Sequence, residues 1–382
     1  MTVISPTAKS LQRSGIRELM DLAWRTPGCI RLEVGEPNFP TPAHIVEAAV
    51  GAFRSGRTNY APNAGIPELR EAIATKIRTS NHFEATVDQV TVTVGAVQGL
   101  FCTLLALTEP GDRILLPNPG WPNYSMMAHI LHLGQDYYVL RPKNDFLPDL
   151  DELEAAVTPR TRAIIINSPS NPLGTIISAE LLEGVCKFAE RHRLWVVSDE
   201  AYEHVLFESG FVSPASLGGA NHVVSVYTFS KSYAMTGWRV GYVVAPKSLS
   251  PIIQKLQEPQ VSCVNTPSQV AAAAALSGPQ DIVADMMATY LRRRNALNRL
   301  LDEREIGHVK PAGAFYTWLS LGDIELTSRE FATRLLLERG VAVAPGDAFG
   351  RSGEGWIRLS LAAADEALLE GATRLADFLT EL

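Results

Sequence analysis

Short runs of β-branched residues alternate with helical patterns through the middle of the chain, and this alternation limits the fold more than any other feature. The apolar runs are Val90–Val94, Arg113–Leu116, Ala163–Asn167, Leu194–Ser198, Val223–Tyr227 and Val240–Ala245. Between them lie helix-like stretches such as Gly99–Leu107, Asp149–Val157 and Ala179–His192. Apolar strands separated by helices imply a largely parallel sheet covered on both faces. The ends of the chain read differently. The residues before about Pro42 are irregular apart from a helical stretch near Ile16–Ala23. After Met286 the sequence predicts a polar helix over Ala288–Glu303, strand-like segments near Phe315–Leu319 and Trp356–Ser360, and a terminal helix. The fold expected is α/β: a large domain over 46–287 with a mostly parallel sheet flanked by helices. A smaller α+β domain would be built from both termini, 1–45 and 288–382.

Composition narrows the function. Against 34 Lys and Arg stand 41 Asp and Glu, a net charge of −7, and no basic run is present. A nucleic-acid partner is therefore not expected. The four cysteines, Cys29, Cys102, Cys186 and Cys263, are widely separated and form no CxxC or Cys/His cluster. Neither a disulfide framework nor a metal site is suggested. The uncharged stretches Gln89–Thr108 and Pro259–Gln280 are broken by Gly, Thr, Gln or Pro. No membrane span is expected from them, and the first residues lack a signal-peptide core, so a cytoplasmic protein is expected.

Polar residues gather just after the strand runs, the edge where open α/β sheets bind ligands. The segment Val226–Tyr242 (VYTFSKSYAMTGWRVGY) holds Thr228, Ser230, Lys231 and, eight residues beyond the lysine, Arg239. Lysine forms a Schiff base with an aldehyde. The hydroxyls and the guanidinium suit a phosphate. VSDEAY places Asp199 and Tyr202 three residues apart, and SPSNPLGT puts Asn171 on a turn. TVGAVQGL runs a strand into a helix through Gly95 and Ala96, where backbone N–H groups suit an anion. Each piece alone has a plain structural reading as a cap, a turn or a close packing contact.

Together, in this order, the blocks SNPLG, DEAY and SKSYAMTGWRVGY resemble the pyridoxal-phosphate (PLP) aminotransferases of fold type I, class I/II, the aspartate aminotransferase superfamily. The likeness runs from LEVGEPNFPTP near Leu32 to WIRLSL near Trp356. It implies that Lys231 carries the cofactor and acts on the substrate's Cα proton. It implies that Asp199 pairs with the pyridine nitrogen and that Asn171 and Tyr202 bond the phenolic oxygen. Trp121 would lie on the ring face. Ala96, Val97, Thr228, Ser230 and Arg239 would hold the phosphate, joined by Tyr60 from the partner chain of a homodimer with shared active sites. Gly35, Trp121, Asn171 and Arg358 would contact substrate, with Arg358 clamping the α-carboxylate. The implied activity is exchange of an amino group between an L-amino acid and a 2-oxo acid by a ping-pong cycle, in amino acid metabolism.

Three positions depart from the usual pattern: Leu173 replaces a common threonine, Gly120 precedes Trp121 where a larger residue is frequent, and Val97 stands where a polar side chain is frequent. The latter two suggest a looser cofactor site or a wider substrate pocket. Other reactions of the same fold, such as β-elimination, decarboxylation, oxidation or cyclopropane synthesis, share these motifs. A ligand sensor of this fold would need an appended DNA-binding region, and a nicotinamide dehydrogenase would need an early G-x-G-x-x-G; neither is seen. The substrate is not legible: Arg25, Arg292 and Arg293 are cations with no assigned place.

Overall fold

The computed structural model describes residues 3–218 and 221–382. Thirteen strands form three sheets among the described residues. The largest has seven strands in the order β2 (Val90–Thr93), β8 (Gly241–Val244), β7 (Val223–Thr228), β6 (Trp195–Asp199), β5 (Thr161–Asn167), β3 (Arg113–Asn118) and β4 (Gly134–Val139). The strands from β7 through β4 pair in parallel, whereas β8 is antiparallel to both β2 and β7. A smaller sheet has the order β12 (Ala344–Pro345), β13 (Trp356–Ser360), β10 (Tyr316–Ser320) and β9 (His308–Val309), all antiparallel. The parallel pair β1 (Ile30–Arg31) and β11 (Val341–Ala342) joins the N-terminal segment to the C-terminal part of the chain.

The six apolar runs are all strands of the large sheet. Strands β2, β6, β7 and β8 are buried along nearly their whole length. This is why they carry continuous Val/Ile runs rather than alternation. The antiparallel β8 is the exception in the largely parallel sheet that these runs imply. Its length and composition look the same in either direction. Strand β4 escaped the sequence reading altogether. It is an edge strand, GQDYYV, with only one fully buried residue, so no apolar run marks it.

Helix Ala179–His192 matches its sequence signal to the residue. Ser178 caps it, its Oγ accepting from the Leu181 N–H, and Arg193 closes it in the left-handed region. The predicted polar helix begins earlier, at Asp281, and runs to Glu303. The expected division at 287/288 therefore falls inside a helix. A short helix, Pro6–Ser10, and the helix Gly15–Trp24 interrupt the N-terminal segment that reads as mostly irregular. No described helix is long and apolar enough to cross a membrane.

The cores follow the layers. One cluster packs the helix Gly95–Leu107 against the sheet through Leu100, Leu104, Ile165, Val197, Val224 and Val243. The other face is covered through Ile164, Ile166, Val196, Leu182 and Phe188. A further cluster joins Leu19, Ala23 and Leu32 to Tyr290, Phe315, Leu335, Ile357 and Leu375. It brings β13 and the N-terminal segment over the carboxyl edge of the large sheet.

Candidate active site

Parallel strands point their C-terminal ends to one edge, and five of the ends here carry polar residues. Strand β5 ends at Asn167, β6 at Asp199 and β7 at Thr228, while β2 runs through Thr93 into the helix Gly95–Leu107; β3 also ends on a polar residue, Asn118, which lies outside the cavity lining. Because β8 is antiparallel, its first residue, Gly241, sits opposite both Thr93 and Thr228. The reversed strand thus delivers Arg239 to the edge where its neighbours finish. A cavity of about 650 Å³ opens there. Its lining includes Gly35, Ala96, Val97, Trp121, Asn171, Asp199, Tyr202, Thr228, Ser230, Lys231, Arg239 and Arg358. The structure brings all of these sequence candidates together.

One side of the cavity is an anion cradle. The first-turn N–H groups of Ala96 and Val97 have no intrahelical acceptor and carry the positive end of the helix dipole. Thr228 Oγ1 donates to Ser230 Oγ at 2.9 Å, and the Ser230 N–H donates to Thr228 Oγ1 at 3.1 Å. Arg239 holds a left-handed backbone (φ 54°) and donates through Nη1 to the Thr236 carbonyl at 2.9 Å. Its other nitrogen lies 2.5 Å from where a Cβ on Gly95 would stand, and Gly95 itself has φ +70°. A Cβ on Gly241 would meet the Ala96 nitrogen at 2.7 Å. Both glycines keep the cradle open.

At the centre, Asp199 is buried. Its Oδ2 accepts from the Tyr124 hydroxyl at 2.6 Å and its Oδ1 from the Ala201 N–H at 3.2 Å. Among the described residues no side-chain cation is paired with it. Burial therefore pushes its carboxyl up to about 6, only partly offset by those hydrogen bonds and by the charge of Lys231. The Lys231 side chain keeps part of its surface open to the cavity, and its Nζ donates to the Gly35 carbonyl at 2.6 Å. Burial, helped by the charge of Arg358, lowers its amine to about 8.

Arg358 forms the opposite wall. Strand β13 places it beside Trp318 and Ala344, and it is buried. Nη1 donates to Asn171 Oδ1 at 2.8 Å and Nη2 to the Glu33 carbonyl at 2.6 Å, while Nε has no partner. Its guanidinium lies 4.1 Å from the Tyr316 ring centre. Tyr202 and Tyr316 share a 2.8 Å hydrogen bond between hydroxyls, and burial pushes both phenols above their usual range.

Comparison with known proteins decides what such a cavity belongs to. Residues 27–375 match the family model of aminotransferase class I and II. The chain is 42% identical to an aspartate aminotransferase of Pyrococcus abyssi, with 96% of each chain covered. It is 39% identical to aromatic-amino-acid aminotransferase 2 of Thermococcus litoralis, covering 99% of this chain and 98% of the relative. Its structure superposes on the aspartate aminotransferase of Thermus thermophilus with maleate at a TM-score of 0.95, 36% identity and coverage of 99% and 100%. The chain belongs to the class I and II aminotransferases. The enzyme is PLP-dependent, and transamination is its chemistry rather than the other reactions that share its motifs.

The residues present suit that cofactor. The cradle fits a phosphate, the lysine amine fits an aldehyde, and the buried carboxylate lacks the positive charge that a protonated pyridine supplies. Several lining residues of this aminotransferase escaped the sequence reading. Tyr124 follows Trp121 by three residues, and Tyr316 begins β10. In the sequence Asn167 reads only as the end of a strand. Its side chain donates to the Asp199 carbonyl at 2.9 Å and accepts from the Asn171 N–H at 2.7 Å, tying two strand ends together. Its position beside Asp199 at the end of a neighbouring strand was the available signal.

Other expectations shift. Gly120 does not line this cavity, and a Cβ there would meet the Pro117 carbonyl oxygen at 2.5 Å. The absence of a side chain there answers a close backbone contact. Leu173 is core, packed with Ile164, Val196 and Phe349. Val97 does line the cavity and brings no polar side-chain atom. Tyr60 lies outside its own chain's cavity and is 92% exposed. Arg25 is exposed and absent from the lining, while Arg292 and Arg293 bind Asp365.

Proposed function

We propose that this aminotransferase works by a ping-pong cycle on L-amino acids with acidic or aromatic side chains, with Lys231 as proton carrier and Arg358 as carboxylate clamp. The observation that carries the reading is that Lys231, Asp199 and Arg358 all line one cavity. Bound there, PLP supplies an aldehyde for amino-group exchange and a ring that accepts electrons from the substrate's Cα. Ala96, Val97, Thr228, Ser230 and Arg239 would hold its phosphate. Asp199 would hold the ring nitrogen, Asn171 and Tyr202 the phenolic oxygen, and Trp121 one face.

The chain's own residues then have defined work. Arg358 binds the substrate α-carboxylate with its planar fork, beside Asn171 and the backbone of Gly35. The amine of Lys231, lowered to about 8, is neutral in an appreciable fraction near neutral pH. It takes the Cα proton and returns a proton on the other side of the exchange. Tyr202 stays protonated and donates. The donor class rests on relatives named for aspartate and for aromatic amino acids.

We also propose a homodimer in which Tyr60 completes the partner's phosphate site. Supporting it, exposed apolar side chains lie on connected elements: Val97 and Leu105 on the helix Gly95–Leu107, Ile252 and Val261 on the helix Ser250–Val261 that packs against it, and Tyr60 in the loop whose Ala61 N–H meets Cys263. The division into 46–287 and 1–45 with 288–382 is kept as a proposal, supported by the shared C-terminal core. A cytoplasmic location is likewise proposed, supported by four free thiols.

The test of function is a screen of donors against several 2-oxo acids, following the cofactor spectrum through one half-reaction. Arg358→Lys should raise the substrate requirement steeply for amino acids and far less for amines that lack a carboxylate. Equal losses for both would make Arg358 structural.

A further inference from the structure

Two tyrosine hydroxyls meet in the cavity wall, and counting their protons gives the bond between them a direction. The hydroxyl oxygens of Tyr202 and Tyr316 are 2.8 Å apart, and among the described residues neither makes another hydrogen bond. Both side chains line the cavity, and both are buried. Burial holds both phenols above their usual range, so each keeps its proton. A hydroxyl has one proton to give and lone pairs with which to accept. Two protons and one mutual bond leave one proton over. In the reading above, on which this inference rests, the spare proton is that of Tyr202 and goes to the phenolic oxygen of the cofactor. The bond between the hydroxyls then runs one way: Tyr316 donates and Tyr202 accepts.

The fold holds Tyr316 in that place. It opens β10 and pairs with Ser360 of β13, two residues beyond Arg358. Its ring meets Tyr202 edge-on at 5.6 Å between centres and packs on Phe315 at 5.0 Å. A Cβ on Gly35 would collide with the Tyr316 hydroxyl, so the glycine makes the room in which that hydroxyl sits. The charged groups that face the pair are Arg358, 4.1 Å from the Tyr316 ring centre, Asp199, and Lys231, whose Nζ lies 5.8 Å from the Tyr202 ring centre. Among the described residues none of the three bonds to either hydroxyl.

We propose that Tyr316 is a positioning residue for the cofactor: by donating to the Tyr202 hydroxyl it turns the Tyr202 proton toward the phenolic oxygen and strengthens that donation. Hydrogen bonds in a chain polarise one another, so a donor one step back is felt at the end.

The test follows the absorbance of the bound cofactor against pH in the PLP-loaded enzyme. A donor on the phenolic oxygen favours the form of the cofactor–Lys231 linkage that has lost its proton, so a weakened donor raises the pH at which that proton is lost. Tyr316→Phe keeps the ring beside Arg358 and removes only the hydroxyl. It should raise the midpoint by roughly half to one pH unit, the range of one neutral hydrogen bond. On a Tyr202→Phe background the same substitution should leave the midpoint unmoved, because Tyr316 acts only through Tyr202. A midpoint unchanged or lowered in Tyr316→Phe, or an equal rise in both backgrounds, overturns the proposal. Tyr202→Phe alone separates this from the underlying reading. It should raise the midpoint further than Tyr316→Phe does. If it moves nothing, the placing of Tyr202 on the phenolic oxygen has failed; if it moves the midpoint and Tyr316→Phe does not, only the role of Tyr316 has failed.

Discussion

Residues 199–203, Asp-Glu-Ala-Tyr-Glu, send carboxylates in two directions, and the two settings differ sharply. Asp199 faces the cavity with a tyrosine, a backbone N–H and no paired cation. Glu200 and Glu203 face away from it, into a sealed network. Glu203 is bonded by Lys76 and by Asn81 Nδ2 at 2.7 Å, and Glu200 accepts from Ser213 at 2.9 Å. Burial would raise Glu203, but Lys76, His204 and Asn81 overcome it and hold the carboxyl below its usual value. Glu200, with burial and the charge of Glu203 both acting on it, is pushed up to about 7. The protein supplies the counter-charge of Glu203 itself, through Lys76, and gives Asp199 none among the described residues. Glu200, also without a cation and raised to about 7, lies outside the cavity lining, so it is the pairing of an uncompensated carboxyl with an open cavity that marks a binding site.

The contrast breaks first at Asp199. In the holoenzyme, Asp199→Asn should lower turnover by roughly three orders of magnitude, about 4 kcal/mol of barrier. Near-normal turnover with cofactor bound would make the two sides equivalent. Glu203→Gln should do the reverse. It strands Lys76 in the interior and should cost about 3 kcal/mol or more of stability, with kcat nearly unchanged where the protein stays folded. Chemical denaturation and steady-state kinetics on the same samples separate the two effects.

A smaller effect sharpens the comparison through pH. The Asp199 carboxyl is raised to about 6 in the folded chain, above its unfolded value. Its contribution to stability is therefore fully present only in acid and is lost as pH rises through 6. Cofactor-free Asp199→Asn should be more stable than the parent by up to about 3 kcal/mol above pH 6, with the difference vanishing below about pH 4. Thermal melts across that range check it.

How much of this was legible in sequence follows from burial. Strands β5, β6 and β7 announce themselves because both faces are covered, and the polar residues that close them stand out against the apolar runs. Strand β4 and the reversed direction of β8 have no such signature. Lys231, Asp199 and Arg358, which the structure brings into one cavity, stand out in sequence through chemistry and resemblance. Asn167, Tyr124 and Tyr316 do not, because what distinguishes each is contact with another lining residue, a relation visible only in three dimensions.

The smallest activity change tests the shared site. Tyr60→Ala and Lys231→Ala subunits, each inactive as homodimers, should form mixed dimers with one intact site and about half the parental activity. No recovery would place Tyr60 in its own chain's site or in none.

The account stands most directly on Lys231 as the residue that carries the cofactor. Borohydride reduction of the PLP-loaded enzyme, digestion and peptide mapping should find the pyridoxyl label on the peptide containing Ser230, Lys231 and Ser232, with Lys231 as the modified residue. Label on any other lysine, with Lys231 free, would contradict it.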